Sequence, residues 1–178
     1  MAMDLITTNT SSNAASSDFT TGIDSTYKLY IFKFYDVNPA TDDTDFSFQG
    51  SIDGGSNYNV TMTTTAFRAY HLEDDSATIL NYQQTGDDQA QGTAFQLLTD
   101  RTANDSDASV AGELFLFNPS STTYVKHFYS RSQFYRYDNG SENEFIAGYF
   151  NTTDNIDAIQ FKMSSGNFDG TIKMYGVG

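Results

Sequence analysis

The chain has 178 residues, enough for one domain with a real core and too few for two of ordinary size. Twenty-three acidic groups against nine basic ones give a formal charge of -14, so phosphate backbones and anionic lipid surfaces repel it, and neither nucleic-acid binding nor membrane insertion is expected. The absence of cysteine excludes a disulfide framework, a zinc-thiolate site and a thiol nucleophile, while fifteen Phe and twelve Tyr set among many Thr and Ser favour pleated sheet over helix.

The start, Met1 to Ile6, lacks a basic segment followed by an apolar one, which predicts a protein made in the cytoplasm without a standard export signal. Thr7 to Ser17 is small and polar and reads as an arm or a weak edge strand. Residues 1–20 are accordingly expected to form a polar N-terminal arm that orders on docking, and residues 21–178 a single β-sandwich domain. After a turn at Thr21-Gly22 comes the most informative segment, Tyr27 to Tyr35, where Tyr30, Phe32 and Phe34 point to one side and Leu29, Ile31 and Tyr35 to the other. A strand in a two-layer sandwich needs one apolar face, so the second predicts cover from a partner subunit.

Val37 to Asp43 is expected as a loop. Phe46-Ser47-Phe48 alternates, Asp53-Gly54-Gly55 supplies the positive φ angles of a tight turn, and a strand follows from Tyr58 to Thr64, which together make a hairpin pattern. Phe67 to His71 continues that strand past a bulge, Glu73-Asp74-Asp75 breaks it, and Ile79 to Tyr82 forms a short strand. A polar loop from Gln83 to Gln91, a strand from Ala94 to Leu98 and an acidic loop from Asp100 to Asp107 come next. Five clearer strands follow, at Gly112 to Asn118, Tyr124 to Tyr137, Phe145 to Phe150, Ile156 to Met163 and Gly170 to Val177. About ten short strands with turn punctuation and no helical period predict an all-β antiparallel β-sandwich.

Tyr124 to Tyr137 repeats the two-faced pattern, with Phe128 and Phe134 against Tyr129, Tyr135 and Tyr137. A long strand crossing between neighbours inside one monomer would explain it, and so would a subunit interface. On the interface reading, Leu29, Ile31, Tyr35, Tyr129, Tyr135 and Tyr137 are the contact residues.

Residues able to carry chemistry are few. His71 and His127 both lie on strands, and no Gly-x-Ser-x-Gly elbow accompanies them. Glu113 is the one acid inside an apolar run and is expected to face outward or to pair with a base. Asp42, Asp43 and Asp45, like Asn104, Asp105 and Asp107, offer oxygens to a hard cation, but neither group has the spacing of a calcium loop and solvated turns account for both. No catalytic residue, metal ligand or cofactor is expected, and the chain reads as a non-enzyme. One ligand cluster is readable: Asp53, Asn57 and Tyr58 set an Asx-rich turn beside an aromatic ring, suited to hydrogen bonding and stacking of a glycan.

Four segments carry a likeness that periodicity does not supply: Asp18 to Tyr27, Asn38-Pro39-Ala40-Thr41-Asp42, Leu116 to Thr123 with its Phe117-Asn118-Pro119-Ser120, and Met163 to Asn167 with the closing Gly170-Thr171-Ile172-Lys173-Met174-Tyr175-Gly176. Together they resemble small virion proteins of tailed bacteriophages, a group common among marine phages. The resemblance implies a jelly-roll-like β-sandwich on the particle exterior, as a tail or fibre component or a capsid decoration. It also implies a homo-oligomer, commonly a trimer, that contacts other virion proteins, and it brings no catalytic or ligand positions. The alternative is a carbohydrate-binding module that recognises host surface glycans within a receptor-binding appendage.

Overall fold

The computed structural model describes residues 2–83 and 86–178. Among them there is no helix. Thirteen strands follow one another as β1 (Met3–Ala14), β2 (Ser17–Phe19), β3 (Leu29–Pro39), β4 (Phe46–Ser51), β5 (Met62–Leu72), β6 (Thr78–Tyr82), β7 (Ala90–Gly92), β8 (Gln96–Leu97), β9 (Val110–Phe117), β10 (Lys126–Arg136), β11 (Gly140–Phe150), β12 (Ala158–Met163) and β13 (Phe168–Val177). They build two antiparallel sheets. The large one runs β1-β13-β3-β9-β10-β11-β5-β6, with β7 also on β5, and the small one runs β2-β12-β4-β8.

Eight strands carry the frame. Counted in chain order as β1, β2, β3, β4, β8, β9, β12 and β13, they fall in the large sheet as first, eighth, third, sixth and in the small sheet as second, seventh, fourth, fifth. This is the strand order of a jelly roll, so the all-β antiparallel sandwich expected from the sequence is what forms. The insertions β5 to β7 and β10 to β11 widen the large sheet well beyond the small one.

Alternation explains the core. Tyr30, Phe32 and Phe34 of β3 and Ile172 and Met174 of β13 face Phe46 and Phe48 of β4 and Ile159, Phe161 and Met163 of β12, and all are buried. Phe161 sits at the centre, with the rings of Phe34, Phe32, Phe46, Phe19 and Phe48 at centroid distances of 5.3, 5.4, 5.7, 6.0 and 6.2 Å. The buried Tyr30 hydroxyl bonds to the Asp24 carbonyl and accepts the Asp24 N–H, both at 3.0 Å.

Several boundaries differ from the sequence reading. The segment from Val37 to Pro39 continues β3, because Asp36 adopts φ 51° and forms a bulge that returns Val37 to the core. Asp53-Gly54-Gly55 makes no hairpin; it carries the chain from β4 in the small sheet to β5 in the large one. The polar stretch near the start takes the edge-strand form of its two readings: β1 pairs with β13 along the large sheet and β2 joins the small sheet. Main-chain hydrogen bonds to β13 need no apolar side chains, which is why so polar a segment is held. Met1 of that stretch, and Gln84 and Thr85 of the polar segment 83–91, lie outside the described residues.

Candidate functional site

In-register partners on an antiparallel sheet point to the same side, so the face of the large sheet turned away from the small one can be read row by row. One row holds Met3, Val177, Leu29 and Phe117. The next holds Leu5, Tyr175, Ile31, Phe115, Tyr129, Ala147 and Thr65. The third is charged at one end and aromatic at the other: Lys173, Lys33, Glu113 and Arg131, then Phe145, Phe67 and Tyr82. An apolar and aromatic band therefore crosses β1, β13, β3, β9 and β10, and a second patch lies over β11, β5 and β6.

The rings on this face pack on one another. Phe115 stacks on Tyr129 with centroids 4.5 Å apart, and Phe67 stacks on Phe145 at 4.8 Å. Self-packing covers part of the band and no more. Leu5 remains 55 %, Tyr129 43 % and Leu80 78 % exposed, and Phe67, Tyr82 and Phe117 stay open as well.

The six expected contact residues divide. Leu29, Ile31 and Tyr129 lie in the two apolar rows. Ile31, flanked in register by Tyr175 and Phe115, is already buried at 7 %, so its own chain supplies most of the cover once assigned to a partner. Tyr35 is exposed on the same face beyond the charged row, where the Lys173 ammonium stands 5.3 Å from its ring. Tyr135 is half-buried and its hydroxyl bonds to Asn139 at 3.2 Å. Tyr137 is half-buried, with the Arg101 guanidinium over its ring at 3.9 Å. The sequence reading passed over Phe115, Phe117, Phe67 and Phe145. The first two were legible, since Leu114 and Leu116 alternate with them and leave both faces of that strand apolar.

The expected glycan cluster is closed on itself. The Asp53 carboxylate accepts bonds from Ser51, from the Asn57 main chain and from the Asn57 side chain, which hold it below its ordinary range. The Tyr58 hydroxyl is buried under Gly55, where an added Cβ would meet it at 2.7 Å, so the ring acts as a prop beneath the turn. A different depression, of about 390 Å³, opens on the outer face over Ala147 and Gly148 and is walled by Phe117, His127, Tyr129 and Tyr149.

Several of the groups considered for chemistry bond within the chain. Glu113 faces outward and pairs with Lys33 at 3.0 Å. His71 contacts Asp75 at 2.9 Å on the surface. Asp43 pairs with Arg101, Asp45 accepts the Arg101 N–H and a Ser164 hydroxyl bond, and Asp42 accepts the Asn104 N–H, so these carboxylates tie loops together. Among the described residues, no three His, Asp or Glu side chains are placed to hold a metal ion.

Beneath the widened part of the large sheet lies a cluster of charges that the sequence reading missed. Arg136 bonds to Glu142 at 2.5 Å and to Asp138 at 2.8 Å, and Arg68 bonds to Asp100 and, at 3.4 Å, to Glu142. Glu144, one pleat along from Glu142, is 1 % exposed, and among the described residues both of its oxygens lack a hydrogen-bond partner, as does the buried hydroxyl of its cross-strand neighbour Ser132. Burial, reinforced by the negative charges of Glu142, Asp87 and Asp100 and only partly offset by Arg68, pushes the Glu144 carboxyl well above its ordinary range. Burial also raises Glu142 against the pull of Arg136 and Arg68, and lifts Asp87 to about 6.

All three acids bind protons more tightly folded than unfolded. Their stabilising effect is complete at acid pH and is lost as pH rises through the folded-state values. Unfolding free energy should therefore fall as pH rises from the ordinary carboxylate range of about 4, through the Asp87 value of about 6, and go on falling as Glu144 ionises. Glu144→Gln should flatten that slope and raise the urea midpoint at neutral pH; an unchanged slope would show that Glu144 is solvated or paired. Compared with known proteins, neither a protein-family model nor a curated protein matches the chain.

Proposed function

We propose that this chain is a non-catalytic, self-assembling structural protein of a bacteriophage particle, carried on the exterior as a tail-associated or fibre-associated subunit or a capsid decoration. The observation that carries the self-assembly is the ring-laden outer face of the large sheet, which one copy packs only partly. Contiguous apolar patches of this kind mark association surfaces on soluble proteins. The placement on a phage particle comes from the resemblance of the four quoted segments, and other virion proteins are its expected partners. Sedimentation equilibrium should show concentration-dependent association, with Leu5→Asp and Phe117→Asp together giving a monomer of unchanged melting temperature. A wild-type protein that stays monomeric at high concentration would remove this reading. Imaging of purified particles tests the location directly.

A second reading, carbohydrate recognition, is favoured by the depression between Phe117, His127, Tyr129 and Tyr149, which sets ring faces beside the Thr63 and Thr65 side chains over a floor of small residues. Binding on a glycan array that disappears with Tyr149→Ala would support it. An array without signal would eliminate it.

A further inference from the structure

We propose that the outer face of the large sheet receives an acidic flank of a second copy of this chain, so that copies join head to tail rather than face to face. This inference rests on the self-assembly reading above and gives the charge of the surface that meets the face.

The charged row carries it. Along that row Lys173, Lys33 and Arg131 set three cations against the single carboxylate of Glu113, while the rest of the chain holds the other six cations and twenty-two acids. Glu113 is already paired with Lys33. Among the described residues neither Lys173 nor Arg131 has a carboxylate partner; Arg131 bonds to Asn143 at 3.1 Å and lies over the Phe145 ring. Most cations elsewhere are engaged: Arg68, Arg101 and Arg136 are in ion pairs, and Lys126 is buried against the Thr152 carbonyl at 3.1 Å. The charged row is thus a net positive strip on a strongly acidic molecule, and its two cations without a carboxylate partner among the described residues border the apolar band.

A two-fold contact between two such faces would set one cationic row against another and leave the acidic surplus unmatched. A heterologous contact brings the band and its cations against exposed acids on the next copy, which satisfies both area and charge. Contacts of that kind close into rings or continue as fibres.

The experiment is sedimentation velocity across a salt series. Wild-type association should weaken as salt rises from about 50 to about 500 mM, where screening becomes short-ranged. The double variant Lys173→Glu with Arg131→Glu should associate at least about tenfold more weakly at low salt with an unchanged melting temperature. Lys173→Gln with Arg131→Gln, which adds no repulsion, should fall between the two. Mixed with wild type, the double Glu variant should cap growing assemblies and lower their mean size. A tighter one-to-one complex in that mixture would instead show a face-to-face contact and overturn the inference. Assembly indifferent to salt and to both variants would overturn it too, while leaving self-assembly intact; a monomeric wild type would remove both.

Discussion

Arg136→Ala should destabilise the fold by about 3–5 kcal/mol, the cost of stripping the partner from a buried charge. Arg136 is itself buried, and its guanidinium serves Glu142 and Asp138 while lying 4.4 Å over the Tyr70 ring. Without it Glu142, fully buried, keeps among the described residues only Arg68 at 3.4 Å and shares its surroundings with Asp100 and Glu144. Urea unfolding at neutral pH measures the loss. The loss should shrink toward acid pH, because protonating Glu142 removes the charge left unpaired. Arg136→Met combined with Glu142→Leu should recover most of the stability, since a packed apolar pair avoids desolvating either ion. A loss below about 1 kcal/mol for Arg136→Ala would mean that water reaches the cluster and screens it as it does a surface pair.

Phe161→Ala should cost a comparable amount, about 3–5 kcal/mol, for a different reason. Phe161 belongs to the small sheet, yet two of the five rings around it, Phe32 and Phe34, come from the large one. Removing it opens a cavity where the two layers meet, and rings fixed on separate strands cannot collapse into it. Phe67→Ala is the contrasting control. Phe67 also stacks on another ring, but on the outer face at 45 % exposure, so its loss should stay below about 1.5 kcal/mol. Equal losses at the two positions would place the outer rings in a core of their own.

The cluster around Glu142 and Glu144 shows where sequence reasoning stopped. Once a strand is known to begin at Gly140, parity alone sets Glu142, Glu144, Ile146 and Phe150 on one side, and that side is the core. The acids follow the turn Asp138-Asn139-Gly140 and read as its solvated continuation, so the strand was expected to start at Phe145. Their counterions, Arg68 and Arg136, lie 74 and 6 residues from Glu142 in the chain. Nothing local marks them as partners. The Asp53, Asn57 and Tyr58 cluster is the opposite case: its residues are close in sequence, and that closeness lets the Asp53 carboxylate accept bonds from the Asn57 main chain and side chain.

Composition and alternation by themselves determined that this chain is an all-β sandwich, where most of its turns fall, and that β3 and β10 carry rings on both sides, because side-chain direction in a strand follows from the covalent pleat. Only the tertiary structure decided which sheet each strand joins, that Asp53-Gly54-Gly55 crosses between layers, that Ile31 is covered while Leu5 and Tyr129 are not, and that two arginines neutralise part of a buried acidic cluster. Those outcomes depend on which distant segments meet. Main-chain pairing and charge compensation across such distances leave no periodic trace along the chain.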